Sequence, residues 1–440
     1  MAPASGTYAA GQTVVVSTPT PGATITYTLN GIDPTQSDAT IASGGSLIAG
    51  NYTLKAKAWK TGATASAVVS ASYSITGEYV SAGVAAGTFN SIALRPDGTV
   101  WAWGDNARGA VGDGTNTWRA NPTQVAGLTG ARTVSQGWYH SAALMGDGTV
   151  RTWGKNDLGE LGDGTTADRW MPVQVSGLSN VTAVDAGLSY CVALLSNGTV
   201  VSWGYNAQGQ LGDGTFVNRT TPVAVPGLSS VAAVTAGTDH TLVLKTDGTV
   251  WAWGANASGQ LGDGTTTGHV APAQVSGLSS VIAIAAGNAS SLAIKSDGTV
   301  WTWGWNGFGQ LGDGTTTNRA VPTQISGVSD AVAGGMGWQV TMILRADGTV
   351  WTTGDNSVGQ LGTPGGNRST LGQVTGLPTI SRIGVGDAHG WALTSDGSAW
   401  AWGGNQYSAI GDGTTTTRFT PVWIAGPGLN WRPWRRSACT

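Results

Sequence analysis

Charge is scarce in this chain. Only 10% of its 440 residues are Asp, Glu, Lys or Arg, and the formal net charge is -3. The basic stripe that a nucleic-acid binder needs to neutralise phosphates is missing, so no nucleic-acid partner is expected. Cysteine is nearly absent: Cys191 and Cys439 lie far apart, and two such residues make no disulfide framework. No apolar run approaches the roughly 18 residues that a spanning helix requires, so no membrane span is expected. Helical periodicity is missing throughout. The opening MAPASGTYAAGQ shows no charged-then-apolar leader. It reads as the inside of a domain, which suggests a piece of a longer chain. There is no G-x-x-x-x-G-K-[ST] phosphate loop and no nucleophile motif. No cofactor and no enzymatic activity are expected.

What is abundant is glycine, at 70 residues, and tryptophan, at 21. Both belong to a repeat. WGANASGQLGDGTTTGHVAP (253–272) recurs fifty residues later as WGWNGFGQLGDGTTTNRAVP (303–322). The Gly after the Trp recurs at Gly104, Gly154, Gly204, Gly254, Gly304, Gly354 and Gly403, and an Asn stands two residues beyond each. The preceding Trp holds in every copy but one, where Thr353 replaces it. In the third copy Val181–Val184, Val192–Leu195 and Thr199–Trp203 read as strands, with Pro222–Val225 as a shorter fourth. Asp-Gly and Asn-Gly between apolar runs mark hairpins, because both turn positions take positive φ. Each copy is thus about four strands. Seven such sheets must bury their faces on one another, and a closed ring does so with few free edges. The fold class is all-β: a seven-bladed β-propeller preceded by a small β-sandwich.

Residues fixed across the copies read as structural. The Gly and Asn serve turns, and each Trp packs between neighbouring blades. Arg119, Arg169, Arg219, Arg319, Arg368 and Arg418, with His269 in the fourth copy, follow Asp113, Asp163, Asp213, Asp263, Asp313 and Asp412. A seven-fold ion pair is the expectation. One Asp per loop gives too few oxygens for a Ca²⁺ site. His140, His240 and His389 occupy one position in different copies, too far apart round a ring to share a metal ion. Cys191 stands where other copies hold Ser141, Thr241 and Ser291, and reads as a small buried residue.

These motifs carry a resemblance. GWYHSAAL (137–144), GTDHTLVL (237–244) and WGKNDLGELG (153–162) resemble the repeat of the regulator of chromosome condensation family, over about residues 79–426. The resemblance implies seven blades, closed by strands from both chain ends, here Val80–Gly87 and Pro421–Ile424. SGTYAAGQTVVVSTPTPGATITYTLNGIDPT (5–35) resembles the immunoglobulin-like module of the C-terminal region of chitobiases and β-hexosaminidases. In that family the module accompanies secreted or surface proteins and is not the catalytic part. The expected division is 1–76 for the sandwich, 77–428 for the propeller and 429–440 for a basic, aromatic tail. Scarce Lys and Glu beside plentiful Thr, Ser, Gly and Ala agree with an extracellular or cell-surface bacterial protein.

Positions that differ between copies are free of structural duty. One follows W-G and holds Asp105, Lys155, Tyr205, Ala255, Trp305, Asp355 and Gly404. Another precedes the second strand and holds Phe89, Trp138, Tyr139 and Trp338. A third holds Phe308 and Tyr407. The resemblance implies that these loops share one rim. Exposed aromatics dominate protein interfaces. Phe89, Trp138, Tyr139, Tyr205, Trp305, Phe308 and Trp338 are therefore the expected binding face for a protein partner. A glycan would stack on the same rings. Nucleotide exchange on a small GTPase and a filament or wall-scaffold role are the other functions left open.

Overall fold

The structure is a computed structural model. It describes residues 1–9, 13–29, 31–48, 52–76, 83–95, 98–395 and 397–425. The tail 429–440 lies outside the described residues.

The N-terminal module holds a five-stranded sheet in the order Gly6–Ala9, Val69–Thr76, Tyr52–Trp59, Thr24–Thr28, Ala39–Ile41, and a two-stranded one from Thr13–Val16 and Gly45–Ile48. Strand alternation sends Val14, Ile25, Tyr27, Leu54 and Tyr73 inward, where they are buried. This apolar core runs on into that of the sixth blade.

Seven four-stranded antiparallel sheets follow, each built from strands consecutive in sequence. In the third, the strands are Val181–Ala186, Tyr190–Leu195, Val200–Gly204 and Arg219–Ala224. The first strand of each blade lines a central channel of about 590 Å³. The expected closure by strands from both chain ends does not occur among the described residues. Val84–Ala86 pairs with Asn90–Leu94 of its own blade, and Arg418–Ala425, which contains Pro421–Ile424, pairs with Ala399–Gly403. Val80 lies outside the described residues. Each copy encodes a whole blade, so no strand is missing for the other end to supply. The indole contacts that join the other pairs of blades, the fifth and sixth excepted, also join the seventh to the first.

Those contacts explain the repeated tryptophans. Each indole Nε1–H donates to a backbone carbonyl of the preceding blade: Trp153 to Ala110 O, Trp203 to Glu160 O, Trp253 to Gln210 O and Trp303 to Gln260 O, all at 2.9 Å. At the closure Trp103 reaches Ala409 O at 2.9 Å in the same way. A hydroxyl of the second strand shares the acceptor, as Thr241 Oγ1 does on Gln210 O at 2.9 Å. The buried rings leave no room beside them. A Cβ on Gly212 would stand 2.5 Å from Trp253 Nε1, so only glycine fits there.

The long loop after the third strand is folded by its Asn. Asn206 Oδ1 accepts Leu211 N at 3.0 Å, while its Nδ2 donates to Asp213 Oδ1 at 3.1 Å and to the Thr215 and Val217 carbonyls at 3.1 Å each. Arg219 Nε closes on Asp213 Oδ2 at 2.8 Å. The Arg–Asp ion pair is present in five copies rather than seven, and in the fourth copy His269 Nε2 meets Asp263 Oδ2 at 2.6 Å in its place. The sixth blade reads GTPGGNR, and Arg368 turns to Thr363 Oγ1 instead, at 2.6 Å. Both Asp213 oxygens are occupied by protein donors. Replacing Asp213 by Ala should cost about 1–3 kcal/mol in urea unfolding, through the stranded Asn206 and Thr215 donors. Arg219 is more than a third exposed, so its pairing adds little. A loss below about 0.5 kcal/mol would show that the loop holds without the carboxylate.

Candidate functional site

Two variable loops meet at one end of every blade. The residue after W-G donates its backbone N–H to the carbonyl of the residue preceding the second strand: Asp105 to Phe89 at 3.0 Å, Lys155 to Tyr139 at 2.8 Å, Tyr205 to Ser189 at 2.9 Å and Trp305 to Ala289 at 2.8 Å. This one bond sets the variable positions side by side on one rim. The glycine ahead of each pair is fixed because the next blade's backbone passes close by: a Cβ on Gly137 would stand 2.3 Å from Gly187 O.

The rim brings some of the expected residues together and separates others. Trp138 and Tyr139 stack at 4.9 Å between centroids, Tyr139 lies 6.2 Å from Phe89, and Phe89 lies 4.7 Å from Tyr407. These four rings form a ladder across blades two, one and seven, starting at the channel mouth, which Trp138 lines. Trp305 and Phe308 make a separate edge-on pair at 5.6 Å on the fifth blade. Trp338 stands on the sixth, 45% exposed. Tyr205 is half-buried on the third, and among the described residues no ring touches it.

Tyr407 belongs in this set and was not chosen from the sequence. Its signal was its register with Phe308. Trp118 was also missed. Its indole N–H donates to Tyr407 O at 2.7 Å, tying the first blade's outer loop to the seventh blade.

Charge sits beside the ladder. Arg108 bonds Asp168 at 2.6 Å and Asp157 at 3.3 Å, and Lys155 bonds Asp157 at 2.5 Å and the buried Glu160 at 2.6 Å. Asp387, at the channel mouth, accepts from Thr88 Oγ1 at 2.5 Å, and burial pushes its carboxyl above the usual range. Asp185 spans three blades. It accepts from Ser135 Oγ at 2.6 Å, Thr235 Oγ1 at 3.1 Å and Ala236 N at 2.9 Å, and burial raises it too.

The histidines are structural joints. His389 Nε2 meets Ser91 Oγ at 2.8 Å, His240 Nε2 meets Ser291 Oγ at 2.9 Å, and His140 Nε2 meets Cys191 Sγ at 3.4 Å. Each Ser hydroxyl already donates to a carbonyl, so the imidazole must donate through Nε2–H. All three rings are neutral. Burial lowers His240 and His389 to about 4, and burial, then the Lys155 charge, lowers His140 to about 3. Cys191 is buried, as expected of a small packing residue.

Comparison with known proteins agrees with this architecture. The RCC1-like domain model matches residues 217–439, and regulator of chromosome condensation (RCC1) repeat models match 97–144 and 147–194. The chitobiase/beta-hexosaminidase C-terminal domain model matches 3–70. No curated protein matches the chain. Among solved structures, that of Kap60 bound to yeast RCC1 (Prp20) superposes with a TM-score of 0.68 at 22% identity, covering 78% of this chain and 85% of the other. Prp20p from Saccharomyces cerevisiae gives 0.67 at 24% identity, covering 79% and 88%. Human WBSCR16 gives 0.67 at 24% identity, covering 75% and 95%. At such identities the likeness speaks for the fold. With seven repeat sheets and a family model that matches half of its length, the chain belongs to the RCC1-like domain family.

Proposed function

We propose that this chain is a non-catalytic recognition scaffold that binds a protein partner through the aromatic rim, at the cell surface or outside the cell. The observation that carries this is the ladder Trp138–Tyr139–Phe89–Tyr407. It places four partly exposed aromatic side chains in contact on a rigid frame, and large aromatics held in this way make interface anchors. The N-terminal module supports the same reading. Its core joins the sixth blade, where Tyr27 feels the charges of Asp330, Asp347 and Arg345 at the blade end away from the rim. Among the described residues the module leaves the rim uncovered. The match to a chitobiase/beta-hexosaminidase C-terminal module supports the surface setting. The yeast neighbour was described with its binding to Gsp1p and histones, so protein binding is at home on this fold.

The test is capture from culture of the source organism, with intact chain beside a Trp138→Ala, Tyr139→Ala, Tyr407→Ala variant. A protein recovered by the intact chain should bind the variant at least about a hundredfold more weakly, since two or three anchors cost several kcal/mol. Equal recovery of the same material by both would overturn the rim reading.

A further inference from the structure

The aromatic ladder is bordered by carboxylates that form no ion pair among the described residues. On its outer side Asp105 is tied by its backbone to Phe89, and its charge acts on Tyr139. On its inner side Asp387 bonds the Thr88 hydroxyl, one residue before Phe89. Neither forms a salt bridge among the described residues. The nearby cations, Arg108 and Lys155, are engaged by Asp157, Asp168 and Glu160. Asp387, Thr88 and Trp138 also border the 590 Å³ channel, whose described lining contains Asp185 and no Lys, Arg or His.

The opposite end of the blades is built differently. There Arg95, Lys245, Lys295 and Arg345 each lie over the face of their own blade's Trp, at 5.3–5.6 Å. The chain thus stacks its own cations on tryptophan at one end. Among the described residues no cation stacks on the ladder rings, and Asp105 and Asp387 form no salt bridge. Ring faces attract cations through their quadrupole, and adjacent carboxylates supply the counter-charge.

Resting on the recognition role above, we propose that the rim sector from Tyr407 to Trp138 takes an arginine or lysine side chain from a basic segment of the partner. The rings supply the stacking surface, and Asp105 and Asp387 supply the opposing charge at either side. Charge complementarity selects this occupant, because an acidic segment would meet unpaired carboxylates of like sign.

The test uses the full chain and fluorescently labelled peptides, one of nine arginines and one of alternating Gly and Ser, followed by anisotropy at low salt. The arginine peptide should bind and the Gly-Ser peptide should not. Asp105→Asn with Asp387→Asn should weaken arginine-peptide binding by about tenfold or more. Asp147→Asn with Asp247→Asn, at the opposite end, should change it by less than about twofold. Asp105→Asn alone keeps the test open should the half-buried Asp387→Asn fold poorly, since other copies hold Tyr205 or Ala255 at that position. Equal weakening by rim and control pairs, or no preference for the arginine peptide, overturns the proposal. A captured partner that tolerates the Asp variants but loses binding with the aromatic variant sinks this inference alone. A partner indifferent to both sinks the rim reading itself.

Discussion

Trp253→Ala should destabilise the ring by about 3–5 kcal/mol in denaturant unfolding, among the largest effects a single substitution here can have. Trp253 is fully buried, and it packs with Leu211, Val225 and Val243 of the core that joins blades three and four. Its removal opens a cavity between blades, where the blades cannot close without moving the whole ring. It also takes one of two donors from Gln210 O. Trp253→Phe keeps much of the apolar area and loses the N–H, so it should cost less, about 1–2 kcal/mol. The sixth blade shows the alternative the fold itself uses. There Thr353 stands for Trp, and its hydroxyl bonds Gly309 O at 3.0 Å and Arg368 O at 2.7 Å. If Trp253→Ala cost under about 1 kcal/mol, the indole would not be the joint between blades.

Acidification should weaken the fold through His140, His240 and His389. Each is neutral in the native ring, with a proton affinity depressed from the usual 6.5 to about 3, 4 and 4 respectively. The unfolded chain therefore binds more protons than the native one between pH 6.5 and about 4. Stability is full above pH 6.5 and falls as the pH drops through that window, by on the order of 2–4 kcal/mol per histidine. Asp239 and Asp387, raised by burial, and Asp185, raised likewise, act in the opposite sense and partly offset the loss. The thermal midpoint should drop between pH 7 and 4.5, and a His140→Gln, His240→Gln, His389→Gln variant should flatten that slope. An identical slope in the variant would place the acid sensitivity elsewhere.

Much of this was legible in the sequence because a repeat compares itself. Seven aligned copies separated fixed letters from free ones without any second protein. The strands followed from alternation between Asp-Gly turns. In the third copy they begin and end close to where alternation put them, except that the fourth strand starts earlier, at Arg219. The ladder reaches that far because Gly204 pairs with Arg219 across a break in register, and the sixth blade keeps the same pairing, Gly354 with Arg368, without an Asp partner. The Trp, Asn and Arg roles were legible because each acts within a repeat or between adjacent identical ones.

The chain ends were where family habit misled. Copy-by-copy counting alone showed seven complete blades, and the expected exchange of strands between the ends was not needed.

What the sequence determined by itself was local and periodic: the number of blades, their strands, their turns and the buried joints. What only the tertiary structure decided was which free letters meet. Phe89 and Tyr407 stand near opposite ends of the repeat array, yet ring closure sets their rings 4.7 Å apart. Tyr205 and Trp305 occupy the same position in different copies, and the ring holds them on separate blades. Periodicity fixes a residue's height and direction on its own blade. Only closure fixes the neighbours of the first and last copies, because these stand at opposite ends of the array and are not consecutive in sequence.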